Sequence, residues 1–179
     1  QILHLGRHID GNFARMASWS ASSIPWTATA PAPHPMTEKE IKLVIGAHAD
    51  VAANLLEAGL DGIELQLAHG HLLQQFLSPI ANEREDKYGG NLENRMRIVL
   101  ETATAVRQMI GTDHTMGVRI SADEFLKGGL TLDDMCAVIF KLASAVQLDF
   151  VNVSHSAYHG SYTISTQMAD MAFSNQHFR

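Results

Sequence analysis

The stretch Gly62-Ile63-Glu64-Leu65-Gln66-Leu67-Ala68-His69-Gly70-His71 (residues 62–71) decides the architecture. Through Leu67 it alternates apolar and polar side chains, the period of a strand, with Ile63 and Leu65 on one face and Glu64 and Gln66 on the other. Polar residues then continue past the strand's carboxyl end into His69 and His71. Upstream, Thr37 to Glu40 forms a capping box ahead of Ile41, Val44, Ile45, His48, Val51 and Leu55 at helical spacing, with Gly59 as the stop. Further upstream, Ile2-Leu3-His4-Leu5-Gly6 is a short apolar run that reads as a strand. Downstream, a long loop rich in Pro, Gly and Asn leads to Asn91, which starts a helix running through Met96, Val99, Leu100, Ala103 and Val106 to Gly111. Met116 to Ser121 is the next strand, Thr131 and Asp134 cap a third helix through Val146, and Phe150 to Ser154 is the last strand.

Strands alternating with helices specify an α/β fold with a parallel sheet, either doubly wound or closed into a barrel. The placement of polar residues favours the barrel. Gln66, His69, His71, Arg119, Ser121, Ser154 and His155 all fall at or just beyond strand carboxyl ends, the rim where TIM barrels carry their chemistry. The four strands should be parallel and adjacent in chain order, with three helices on one outer side.

Composition narrows the function. The chain has 13 Lys and Arg against 19 Asp and Glu, a net charge of −6, so no basic surface exists to neutralise nucleic-acid phosphates. No apolar run approaches the roughly 20 residues of a membrane span, and the first residues lack the basic-then-apolar order of a signal peptide. One cysteine, Cys136, rules out an internal disulfide and fits a reducing, cytoplasmic setting. Flanked by Met135, Val138 and Ile139, it reads as a buried apolar side chain. Residues 8–36, rich in Ser, Ala and Pro, read as a long surface loop. A chain that opens inside a strand without Met is expected to be a piece of a longer protein, so residues 1–179 form one partial barrel domain.

The segment Ala68-His69-Gly70-His71-Leu72-Leu73-Gln74-Gln75-Phe76-Leu77-Ser78-Pro79, followed by Asn82, Arg84, Asp86 and Tyr88-Gly89-Gly90-Asn91-Leu92-Glu93-Asn94-Arg95, closely resembles the Old Yellow Enzyme family of NADH:flavin oxidoreductases. Gln1-Ile2-Leu3-His4-Leu5-Gly6-Arg7 looks like that family's third strand and Val118-Arg119-Ile120-Ser121 like its fifth. The resemblance implies an FMN-dependent (β/α)₈ barrel of which these are strands three to six of eight. It implies Gln1 and Arg119 beside the flavin, and His69, His71 and Gln66 around the substrate. Within the family the chain resembles the branch of trimethylamine dehydrogenase, dienoyl-CoA reductase and the N-methyl amino acid demethylases. Simple ene reductases carry His and Asn where this chain has Gln66 and His69, and many members carry Tyr where it has His71. The implied partners are a small-molecule substrate and a nicotinamide or electron-transfer protein, with oligomers admitted. A 4Fe-4S cluster in the full-length protein would use ligands outside this chain, as would the FMN phosphate, so the isolated chain is expected to be inactive.

The residues carry their own logic beside the resemblance. A carboxylate facing a barrel axis needs a partner, and Arg119 can neutralise Glu64. The Gln1 amide suits the imide edge of a flavin. His69 and His71, one residue apart at a glycine bend, can share a cavity and exchange protons near neutral pH. An imidazole at 71 favours taking a proton from an ammonium, hence oxidative demethylation of an N-methyl amine, over ene or dienoyl reduction. Arg84, Asp86 and Gly89-Gly90 read as loop-folding residues. Tyr158, His159, Gly160 and Tyr162 are either pocket lining or exposed loop. A hydrolytic alternative treats His69, His71, His155 and His159 as zinc ligands of a barrel hydrolase.

Overall fold

Hydrogen bonds predicted from two Thr residues anchor the helical layer. In the computed structural model, which describes residues 1–9 and 16–154, Thr37 and Glu40 form a reciprocal capping box at the head of α1 (Glu38–Glu57). Thr131 and Asp134 do the same for α5 (Leu132–Ala145). The remaining elements are a 3₁₀ turn (Gly6–His8), β1 (Trp19–Ser20), β2 (His34–Pro35), β3 (Gly62–Leu67), α2 (Leu72–Leu77), α3 (Leu92–Arg95), α4 (Arg97–Ile110), β4 (Thr115–Ser121) and β5 (Phe150–Ser154).

The main sheet has the order β3-β4-β5, parallel throughout. Ile2 adds a parallel bridge to Leu65, so the first segment lies beside β3 as a single bridge rather than the full strand expected. Register follows from the alternation. Gln66, Arg119 and Asn152 share one rung, and Ser121 pairs with Ser154 two positions further toward the carboxyl ends, on the same face. Leu65, Val118 and Ile120 turn to the opposite face and are buried there. Gly117 is required on the polar face: a Cβ there would sit 2.4 Å from the Phe150 ring. The outer core is continuous, because Ile41, Val44 and Ala52 of α1 and Ile98, Val99, Ala103 and Val106 of α4 bury into one cluster with the strand residues. The α/β half-barrel reading therefore holds.

Three local readings change. The loop after β3 contains the helix α2, every residue of which is buried. The loop before α1 contains the two-residue parallel pair β1–β2. Cys136, expected inside, is exposed. On α5 the inward stripe is Met135, Val138 and Leu142, and position 136 lies about 100° round the helix from 135.

Arg84 ties the long loops together. Its guanidinium donates to the carbonyls of Ala21 (3.0 Å) and Met36 (2.7 Å), pairs with Asp86, and sits 5.7 Å from the Phe76 ring centroid. The loop-folding role expected for Arg84 and Asp86 is thus observed. Gly89 packs against the backbone of the same residue, where an added Cβ would lie 2.0 Å from the Arg84 carbonyl oxygen. A Cβ added at Gly46, exposed on α1, would meet nothing within 4 Å beyond its own helix. Gly89→Ala should therefore destabilise by about 3 kcal/mol through overpacking. Gly46→Ala should instead stabilise by about 0.5–1 kcal/mol through helix propensity. Melting curves followed by circular dichroism would check both signs.

Candidate active site at the carboxyl-terminal rim of the sheet

Glu64 is the hub of the sheet's polar face. It accepts from Gln1 Nε2, from Arg119 Nε at 3.0 Å and from Asn152 Nδ2, and so takes donors from the first segment, β4 and β5. Burial pushes its carboxyl upward, but the bonds from Asn152, Arg119 and Gln1 outweigh this and hold it below the usual carboxylate range. The expected Glu64–Arg119 pair is present. Arg119 also donates through its terminal nitrogen to Ser154 Oγ at 3.1 Å. Gln1 Nε2 donates a second bond to Gln66 Oε1 at 2.9 Å, and the Gln66 side chain is buried. Gln1, Gln66 and Arg119 therefore share one connected face.

Just beyond β3 the chain turns sharply. His69 and Gly70 both take the left-handed region, at φ 60° and 69°, a conformation that Gly adopts freely and that costs a non-glycine residue of order 1 kcal/mol or more. The bend is held by its backbone groups. The His69 N–H donates to Ser121 Oγ at 3.0 Å, the Gly70 N–H to Gln74 Oε1 at 2.7 Å, and the Gly70 carbonyl accepts from Gln75 Nε2 at 2.6 Å. Consequently the two imidazoles do not alternate: their rings meet edge to face with centroids 6.4 Å apart.

Two residues that the sequence left in the long loop complete this cluster. His8 approaches His71 with 3.4 Å between Nδ1 atoms, and Trp26 meets the His8 ring edge to face at 5.4 Å. Adjacency to the Arg7 segment was the only signal for His8. Trp26 had none. Burial, and secondarily the charge of His69, push the His71 imidazole down to about 4, so it is neutral at pH 7. His155, Tyr158, His159, Gly160 and Tyr162 lie outside the described residues. Among the described residues no group of three or more His, Cys, Asp and Glu side chains is placed to hold a metal ion, and no helix is long and apolar enough to cross a membrane.

Fold and rim together define a section of a parallel α/β barrel with its polar groups gathered at the carboxyl-terminal rim. The family model described as NADH:flavin oxidoreductase / NADH oxidase matches residues 1–178, and the chain belongs to that family. It is 39% identical over 180 residues to an N,N-dimethylglycine/sarcosine dehydrogenase of Chromohalobacter salexigens, covering 99% of this chain and 26% of that protein. It is 39% identical over 163 residues to an NADH-dependent flavin oxidoreductase of Aspergillus parasiticus, covering 88% of this chain and 36% of that protein. The fold matches a 2-naphthoyl-CoA reductase solved with 2-naphthoyl-CoA at a TM-score of 0.85 and 25% identity, over 89% of this chain and 26% of that one. The chain thus spans about a quarter to a third of these relatives' length.

The polar face fits a flavin's pyrimidine end chemically. Arg119 is a cation fixed by Glu64 and Ser154, and Gln1 adds a primary amide on the same face.

The depressed His71 has a pH signature. Its folded value lies below the unfolded 6.5, so its contribution to stability is complete above about pH 6.5 and is lost as pH falls toward 4. His71→Phe should flatten the fall in melting temperature across that window relative to the parent. Equal slopes in the two proteins would contradict a neutral, half-buried imidazole at this position.

Proposed function

We propose that this chain is the central section, strands three to six, of a longer FMN-dependent barrel that oxidatively demethylates an N-methyl amine. Gln1 and Arg119 would hold the pyrimidine end of FMN, where a fixed cation stabilises negative charge on the reduced ring. FMN supplies the two-electron acceptor that takes hydride from the substrate. Gln66 orients the substrate, His69 takes up its proton, and His71 accepts a hydrogen bond from the amine.

The neutral state of His71 carries this reading. An imidazole at about 4 is protonated in roughly one molecule per thousand at pH 7, so it is a poor acid for reducing an activated alkene. The same depression makes it a weaker base than the free imidazole expected from the sequence, so it accepts a hydrogen bond rather than carrying the substrate's proton. The desolvated surroundings that keep His71 uncharged also disfavour an ammonium, and so favour the free amine from which hydride can leave. The similarity to a dimethylglycine/sarcosine dehydrogenase points the same way. A nicotinamide nucleotide or an electron-transfer protein would exchange electrons with the flavin.

Assays of the full-length protein with N-methylated amino acids and with cyclohexenone-type acceptors would test the choice. Amine turnover should dominate, and His71→Phe should lower its kcat by about 100-fold. Robust enone reduction without amine turnover would instead assign an ene or dienoyl reductase. Residues 1–179 alone, titrated with FMN by fluorescence quenching, should bind it only weakly, because the charge-assisted bonds to the phosphate would come from elsewhere in the barrel.

A further inference from the structure

Glu124 is a carboxylate with no exposure to solvent, in the loop after β4. Its oxygens receive the Gln74 Nε2 amide at 2.8 Å, the Ser78 hydroxyl at 2.7 Å and the Leu130 N–H at 2.8 Å. The backbone makes room for it: a Cβ on Gly129 would stand 2.7 Å from Glu124 Oε2. Burial pushes this carboxyl up, opposed by those three bonds and by the charge of Arg7. The proton-transfer reading above gives this residue nothing to do.

We infer that Glu124 is a positioning residue for the His69–His71 bend, acting through the polarity of the Gln74 amide. This rests on the proton-handling reading of the two histidines. A carboxylate can only accept and the Gly70 N–H can only donate, so Gln74, between them, has a single workable orientation: its NH₂ toward Glu124 and its oxygen toward Gly70. Gln74 is itself fully buried, so water cannot replace a lost partner. Fixing the amide fixes the Gly70 peptide, and with it the left-handed pair that turns both imidazoles the same way.

Glu124→Gln breaks this chain of polarity. The new amide must keep its oxygen on Ser78 and Leu130, which presents NH₂ to Gln74; Gln74 then inverts and opposes its own NH₂ to the Gly70 N–H. Adding Gln74→Glu restores every bond. The carboxylate at 74 accepts from both Gly70 and the amide at 124, whose oxygen still serves Ser78 and Leu130.

The test uses the full-length, FMN-loaded protein. Carbethoxylation rates of His69 and His71 are read residue by residue by mass spectrometry, beside steady-state kinetics. Glu124→Gln should change both labelling rates by about fivefold or more, the weight of one buried hydrogen bond, and lower kcat by about 100-fold. The double variant should return labelling and kcat to within a few fold of the parent. Unchanged labelling in the single variant, or a double variant that fails to recover, would overturn the inference. Labelling that shifts and recovers while kcat stays constant would uphold the positioning and remove His69 and His71 from the reaction. Should Glu124→Gln not fold, a folded double variant with parental labelling supports the inference, and an unfolded one defeats it.

Discussion

One glycine organises this end of the molecule. The N–H of Gly70 is held by Gln74 and its carbonyl, in the following peptide group, by Gln75. Gln75 uses its full capacity: its oxygen accepts from the Arg7 N–H and the Ser20 hydroxyl, and its NH₂ donates to the carbonyls of Leu5 and Gly70. Five segments therefore converge on two adjacent side chains. The first segment, β1, the bend, α2 and the loop after β4 cannot shift independently without stranding a buried amide, at about 1–3 kcal/mol per group. The packing is close enough to demand glycine at position 6, where a Cβ would meet the Gln75 oxygen at 2.2 Å.

Two carboxylates divide the remaining electrostatics. Glu64 faces the polar side of the sheet, satisfied by an arginine and two amides, and is held below the usual range. Glu124 is buried and pushed up. The first gathers the groups that would meet a flavin; the second touches only structural donors. Both follow the rule that a carboxylate leaves water only where donors replace it, yet their consequences differ. Glu64 sets the charge environment of Arg119, whereas Glu124 sets the direction of a hydrogen bond.

Much of this was legible in the sequence because it repeats. Alternation in Gly62–Leu67 identified the polar face and the Glu64–Arg119 pair, and Thr37, Asn91 and Thr131 marked helix starts by capping chemistry. Helix α2 escaped because periodicity reports a contrast between wet and dry faces. Leu72 to Leu77 has no wet face: Gln74 and Gln75 are as buried as Phe76, their polarity spent internally. Cys136 misled for the converse reason. Its neighbours Met135 and Val138 are core, but Cys136 itself, with Phe140, Val151 and Val153, lines an apolar groove between α5 and β5. His8 meets His71 across 63 residues of chain, and Trp26 joins through the His8 ring, distances that no local pattern spans.

Position and protonation of the histidine pair are therefore controlled by different parts of the chain. Amide polarity, running from Glu124 through Gln74 to Gly70, decides where the imidazoles lie. Burial beside His8, with the charge of His69, decides whether His71 is charged. Because the two controls share no side chain, a substitution in the glutamine network can move His71 without exposing it. A substitution at His8 or Trp26 can rehydrate it without moving the bend. A tyrosine at position 71 would keep the geometry, since the bend is fixed by backbone groups at 69 and 70, while replacing a neutral acceptor with a phenol that donates. The scaffold can thus keep one bend and exchange an acceptor for a donor at position 71 through a single side chain.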